Sequence, residues 1–285
     1  MEPAESRFAA YCRRREEAAA HAVLPGYTTI RTGDVSGMVA CGTAWSRRLF
    51  DGDFYRSPAG ATLPSVGLVF VRSRDGNTVA VNPSVLGGGA TDLHLIYEGL
   101  SRVDADGVLS GATTVSARDL VLSVWHPELV ALRLSRGKPR HPRQIVVTGS
   151  GSLPLDDGLM FQVPDVPVTL ITTTATAPRL RARVQGRPWI DVVDAGERVG
   201  FRAALSELRQ RGVEVVSAIG GPKTATALLR EHLVSDIYLT TSPIDAGEPD
   251  TPYCEAPPGE VRLVVEKAGQ RGEAGVVFEH LATTL

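Results

Sequence analysis

Residues 213–247 read VEVVSAIGGPKTATALLREHLVSDIYLTTSPIDAG. Val213, Val215, Val216, Ala218 and Ile219 form a short apolar run of the kind that makes a buried strand. Gly220, Gly221 and Pro222 break it. Thr224–Glu231 then has helical spacing, with Leu228 and Leu229 on its apolar side, and Ile237–Thr241 is a second strand that Pro243 ends. The order is strand, glycine turn, helix, strand. Two successive glycines let backbone pass close to a ligand because no Cβ intervenes. The N–H groups opening the helix favour an anion in that gap, and a diphosphate is its natural occupant. A tight turn with no ligand has the same signature, so this stretch decides the local fold and leaves its chemistry open.

Outward from this unit, Ser65–Arg72 (SVGLVFVR) predicts a strand running into the turn sequence Ser73-Arg74-Asp75-Gly76. Pro83–Gly89 is a loop. Thr91–Val103 carries Leu93, Leu95, Ile96, Leu100 and Val103 at helical spacing, with Asp92 as a cap. Gly107–Val115 (GVLSGATTV) begins as a short strand and ends in Gly111, Thr113 and Thr114. Their bare N–H groups and hydroxyls suit a phosphate, a sugar or a simple turn. Gln144–Thr148 predicts a strand followed by Gly149-Ser150-Gly151-Ser152, Val168–Thr174 a strand ending in hydroxyls, and Ile190–Val193 a short strand. Phe201–Arg211 reads as a helix closed by Gly212. Arg133–Arg143, basic and proline-containing, reads as a surface connection, and His94 and His126 read as isolated residues.

At the C-terminal end, Glu260–Ala268 and Gly275–Leu281 flank a Gly/Arg/Glu-rich turn and read as an antiparallel hairpin. The whole order predicts an α/β fold: a mainly parallel sheet flanked by helices, with an antiparallel edge. Residues 1–24 predict an amphipathic helix, and residues 26–63 show no periodicity. The division is an N-terminal extension of helix plus irregular arm, residues 1–63, and one domain, residues 64–285.

The chain has 285 residues, 43% hydrophobic and 22% charged, with net charge −2. That balance argues against a general electrostatic grip on nucleic acid or an acidic membrane. No apolar run long enough for a transmembrane helix occurs, and the charged N-terminus lacks the apolar core of a secretion signal. Cys12, Cys41 and Cys254 are scattered; they suit a reducing cytoplasm and offer no metal spacing.

Several predicted strand ends carry Gly, Ser or Thr: Gly111–Thr114, Thr148–Ser150, Thr172–Thr174 and Gly220-Gly221. Ligands of open α/β sheets bind at the carboxyl ends of strands. Taken together these ends point to a phosphate-rich, adenylated ligand rather than a metal. A GxGxxG fingerprint after the first strand, a GxSxG elbow and a GKS/T loop are all missing.

Residues from about 64 to 281 resemble the reductase domain of bacterial riboflavin biosynthesis, a family related to dihydrofolate reductase. Ser73-Arg74-Asp75-Gly76 matches its Ser-x-Asp-Gly, and Gly111–Val115 matches its Gly-x-x-Thr-Val. Thr148 with Leu153-Pro154 matches its strand ending in Thr and the following Leu-Pro. Ile219-Gly220-Gly221-Pro222 stands on Glu-Gly-Gly-Pro, and Leu233-Val234-Ser235-Asp236 on Leu-Val-Asp. The resemblance implies a homodimeric, NADPH-dependent reductase that transfers hydride to a small heterocycle, the protein orienting cofactor and substrate. It puts Gly111, Thr113, Thr114, Thr148, Ser150, Gly220, Gly221 and Thr224 at the cofactor. Ser73 and Asp75 take the catalytic positions, and Leu86, Trp125 and Ile219 face the substrate.

Three departures from the family fall on the substrate side. Its Glu before Gly-Gly is Ile219. Its Asp-Pro-x-Leu-Thr-x-Arg corresponds to Asp119–Trp125, so an indole replaces a phosphate-gripping guanidinium. Its Ser-x-Trp aromatic is Leu86. The changes predict a pyrimidine, pterin or related heterocycle other than the usual phosphoribosyl aminopyrimidine. Residues 1–63 lack the Cys-x-x-Cys and His-x-Glu of a zinc deaminase. Two rivals stand beside this reading. One is a pterin reductase, which needs a ring-holding carboxylate, and Asp75 is the candidate. The other is a catalytically silent nucleotide- or partner-binding protein with the same fold.

Overall fold

The computed structural model describes residues 3–80, 83–116, 119–255 and 259–283. The first elements are α1 (Ala4–Ala20), β1 (Tyr27–Thr32), β2 (Val39–Ala40), α2 (Ala44–Phe50) and β3 (Tyr55–Arg56). Next come β4 (Ser65–Arg72) and α3, which opens at Gly89–Thr91 and continues through Asp92–Leu100 in wide π-type turns. Then follow β5 (Gly107–Gly111), α4 (Pro127–Ser135), β6 (Arg143–Val147), β7 (Val168–Thr172), α5 (Ala177–Arg183) and β8 (Ile190–Asp194). The chain ends with α6 (Phe201–Gln210), β9 (Val215–Ala218), α7 (Pro222–Arg230), β10 (Asp236–Thr241), β11 (Val261–Gly269) and β12 (Val277–Thr283).

Among the described residues ten strands form one sheet, ordered β1-β11-β12-β10-β4-β9-β5-β6-β7-β8. From β10 to β8 all neighbours run parallel. The β11–β12 hairpin adds to β10 antiparallel, as the sequence predicts. Alternation along β4 sends Val66, Leu68 and Phe70 to one face and Val69 to the other. The first face packs against α6 and α7 through Phe201, Leu205, Leu208, Ala225 and Leu228. The second packs against α3 through Leu95, Ile96 and Leu100, and beyond β6 against α1 and α5.

Four local expectations change. Residues 26–63 are not an irregular arm: α2 opens with a capping box between Thr43 and Ser46, and β1 pairs antiparallel with β11 at the sheet edge. An edge strand with only Tyr27 buried leaves no apolar period to read. Asp92 lies inside α3 rather than capping it, and Leu93 points outward at 41% exposure. The π-type turns explain this, since their period is longer than the 3.6 residues that the spacing assumed. Part of the basic Arg133–Arg143 stretch is core: Arg133 is 1% exposed and donates to the carbonyls of Arg102 (3.0 Å), Ala105 (2.7 Å) and Pro139 (2.6 Å). Helix α5 has no counterpart in the sequence reading; it is short and carries three arginines around buried Ala177 and Leu180.

Candidate functional site

Strands β9, β5, β6 and β7 are parallel neighbours, so their carboxyl ends lie side by side. This brings Gly220-Gly221, Gly111–Thr114, Thr148–Ser150 and Thr172–Thr174 into one row. A Cβ on Gly149 or on Gly221 would meet no atom within 4 Å, so both present bare backbone to open space. At Gly111 the nearest atom to such a Cβ is Thr224 Oγ1, 3.8 Å away. Gly220 is different: a Cβ there would be 2.7 Å from Thr224 Cβ, so the glycine is needed for the start of α7 to close onto the sheet. Gly221 is the N-cap of α7 and Pro222 opens it, which directs first-turn N–H groups and Lys223 to the same edge.

The threonines divide by task. Thr148 is buried; its Oγ1 accepts the Gly151 N–H at 2.9 Å, and its carbonyl accepts Thr172 Oγ1 at 2.7 Å. It shapes the loop rather than facing the gap. Thr113 and Ser150 are exposed on the row, and Thr114 is half-buried there.

At the end of β4 the Ser73 hydroxyl donates to the Asp75 carboxylate and lies 2.9 Å from the Ala246 carbonyl. Asn77 Nδ2 donates to the other Asp75 oxygen at 2.8 Å, and the Gly76 N–H closes the turn on the Ser73 carbonyl at 2.9 Å with Gly76 at φ +90°. Both side chains are committed to this turn. Leu86 is buried beside it, its Cδ2 2.9 Å from where a Gly247 Cβ would stand. Ile219 is buried with Val69, Leu95 and Ile96, between α3 and the sheet.

Trp125 departs from its expected place. It is 2% exposed, its ring centroid 5.5 Å from Tyr11 of α1 and 5.8 Å from His141. Nearby, Leu122 exchanges hydrogen bonds with Gln144 at the start of β6. Trp125 is therefore toward the amino edge of the sheet, away from the row of glycines, and α1 covers it. A motif position fixes where a residue stands in the chain but not what an extension packs on it.

Two groupings escaped the sequence reading. His94 and His126 are not isolated: their rings are 5.7 Å apart, and His94 Nδ1 is 3.3 Å from Glu98 Oε2. That oxygen also accepts the backbone N–H groups of Trp125 and His126 at 2.8 and 3.1 Å, and Trp45 stacks 4.6 Å from His126. The second grouping is at the carboxyl end of β10. Thr240 Oγ1 donates to Asp92, and burial pushes the Asp92 carboxyl up to about 7 against the lowering effect of that bond. Glu273 adds like charge from the hairpin tip, and the buried Tyr27 hydroxyl is beside Thr240. The signal in the sequence is an Asp in the body of an apolar helix.

No described helix is long and apolar enough to cross a membrane. Among the described residues no group of three or more His, Cys, Asp or Glu could hold a metal ion.

A family model, the RibD C-terminal domain, matches residues 75–276. A 2,5-diamino-6-ribosylamino-4(3H)-pyrimidinone 5′-phosphate reductase from Archaeoglobus fulgidus is 29% identical over 177 residues, 62% of this chain and 80% of that protein. The protein of the same name from Aquifex aeolicus is 28% identical over 152 residues, 53% of this chain and 62% of that one. Among solved structures, a pyrimidine reductase-like protein from Corynebacterium diphtheriae superposes with a TM-score of 0.61 at 20% identity, covering 78% of this chain and 92% of that chain. RibD from Acinetobacter baumannii gives 0.58 at 18% identity, covering 79% of this chain and 59% of that chain. The structural likenesses show a shared fold, a mainly parallel sheet with an antiparallel edge. With the match over residues 75–276 extending from the Asp75 turn to the last hairpin, the chain belongs to the RibD C-terminal domain family.

Proposed function

We propose that this chain is an NADPH-dependent reductase whose substrate is a pyrimidine-, pterin- or related heterocycle, distinct from the ribosylamino-pyrimidinone phosphate in the names of its relatives. The observation that carries the proposal is the row of four adjacent strand ends with open backbone at Gly149 and Gly221. These residues fit a dinucleotide. Gly221 and the first turn of α7 would hold the diphosphate, with Gly220 and Thr224 keeping that turn against β5. Gly111, Thr113, Thr114 and Ser150 would line the adenosine half, and Thr148 would set the loop that carries Ser150. When bound, the nicotinamide supplies the hydride.

On the substrate side the chain offers an apolar wall, Ile219 with Leu95 and Ile96, in place of the family's Glu. Trp125 is under α1, with the Arg15 and Arg140 guanidinium groups over its ring, and takes no part in this wall. The apolar wall favours an uncharged ring over a phosphorylated ribosyl compound. Within this class the pterin reading gains from Asp92. It is a buried acid near neutrality, on the face of the sheet that Ile219 shares, whereas Asp75 is bonded into its turn.

The test is NADPH oxidation by the purified protein with pyrimidines, pterins and flavin precursors in turn. Turnover with an unphosphorylated heterocycle and little with the phosphorylated riboflavin precursor is expected. Ordinary enzymatic turnover of that precursor would show the substrate assignment to be wrong. NADPH binding with no turnover on any ring would favour the silent nucleotide-binding reading.

A further inference from the structure

The tip of the β11–β12 hairpin lies against the start of α3. Gln270 ties the tip to β1: its N–H donates to the Gly26 carbonyl at 3.0 Å and its Nε2 to the Tyr27 carbonyl at 2.9 Å. Gly275, at φ +89°, fits against the end of β10, where a Cβ would be 3.0 Å from Pro243 Cβ. Toward α3 the tip sends Glu273. Its Oε1 accepts the Thr91 N–H at 3.1 Å, one of the first-turn donors that a helix leaves unpaired. Its Oε2 is buried and has no hydrogen bond among the described residues.

Asp92 follows Thr91, so two carboxyl groups converge on the opening of α3. A Cβ on Gly88 would be 2.8 Å from Asp92 Oδ2, and one on Gly89 would collide with Glu273 Oε1; two successive glycines face the two acids. Asp92 is 5% exposed, and Thr240 Oγ1 donates to it from β10. The other titratable groups facing it are phenols, Tyr27 of β1 and Tyr97 of α3. No described cation neutralises the pair. Arg271, at the tip, is exposed, and Lys267 of β11 donates to Thr29 Oγ1 (2.8 Å) and to the Asp51 carbonyl (3.1 Å). Two carboxyl groups that share a buried site with no cation do not both ionise without cost. With a proton on Asp92, Glu273 keeps its place on Thr91. With both ionised, repulsion acts between the tip and α3, and Glu273, only half-buried, is the partner that can move out to water.

We propose that the β11–β12 hairpin tip is a pH-dependent strap, closed on α3 while Asp92 carries a proton and released when Asp92 and Glu273 are both ionised. α3 also carries Leu95 and Ile96, which pack with Ile219, so release loosens that face of the sheet. The strap rests on the carboxyl pair and stands apart from the identity of the reduced ring.

The experiment is amide hydrogen exchange of the whole chain across the pH range, corrected for the intrinsic pH dependence of exchange, in the wild type, Asp92→Asn, Glu273→Gln and Glu273→Ala. Opening returns Asp92 to water, where a carboxyl titrates near 4. Opening therefore becomes easier as pH rises and levels off once the closed form has lost its proton too. In the wild type, residues 88–92 and 269–276 are expected to be less protected than β4 and β9 at every pH. Their protection is expected to fall by about tenfold or more between pH 5 and pH 7 and to level off above. Asp92→Asn should stay at the low-pH level throughout, and Glu273→Gln should show a smaller fall than the wild type. Glu273→Ala, which removes the acceptor, should leave the Thr91 amide poorly protected at all pH with β4 and β9 unaffected. Wild-type protection of these two segments that does not change with pH would overturn the strap. So would protection equal to that of β4 and β9 at every pH, because the segments would then open only when the whole chain unfolds.

Discussion

Asp92 is the residue that most clearly works against the stability of its own fold. A free Asp titrates near 4, whereas burial pushes this carboxyl up to about 7. Between those values the folded chain binds a proton that the unfolded chain has released, so stability falls as pH rises from about 4 to about 7 and stays low above. Asp92→Asn keeps the shape and removes the titration. Its unfolding temperature is expected to exceed that of the wild type at pH 8 and to approach it near pH 4. A wild-type advantage at pH 8 would mean that the ionised carboxylate is favoured in the fold. His141 contributes the opposite slope. Burial, then Arg140 and Arg133, push it down to about 3, so its contribution is full above about 6.5 and is lost as pH falls toward 3. Neither effect was legible in the sequence, where Asp92 had the composition of a cap and His141 lay in a basic stretch. Gly220 and Gly221 were legible as the turn between an apolar strand and a helix, because glycine and proline together end a strand and open a helix.

At the scale of elements, α1 is more than an extension. It lays Phe8 and Tyr11 over the Leu120–Trp125 stretch: the Phe8 ring centroid is 5.4 Å from His141, and Tyr11 accepts the Val121 N–H at 3.2 Å. Two buried aromatics contribute about 3–6 kcal/mol by area. The double variant Phe8→Ala/Tyr11→Ala is therefore expected to lose stability of that order and to shift tryptophan emission to the red as Trp125 meets water. Unaltered emission with a lower unfolding temperature would mean that α1 does not shield Trp125. Elements with continuous apolar runs (β4, β7, β9) and the amphipathic α6 were readable at close to their true bounds. Those that failed had physical reasons: β1 is an exposed edge, α3 is wound with a longer period, and α5 hides two buried residues among arginines.

At the scale of the molecule, the candidate site follows from one feature of the topology. The chain lays down β5 to β8 outward from β4 with α3, α4 and α5 on one face. It then crosses to the other face through α6, inserts β9 between β4 and β5, and returns through α7 to β10. The reversal is at β9, and crevices at such reversals are where open α/β sheets take ligands. The sequence disclosed the row of Gly, Ser and Thr strand ends, but not that β9 would stand between β4 and β5, which depends on packing of both faces. It also did not disclose Glu273, whose bond to Thr91 is a contact across 182 residues. The central claim is that this row is a dinucleotide site. The most direct measurement is a fluorescence titration of the purified protein with NADPH and, separately, with NADH. The account predicts saturable NADPH binding in the micromolar range and much weaker NADH binding. Failure of both to bind would contradict it and leave the glycines as turns in a scaffold.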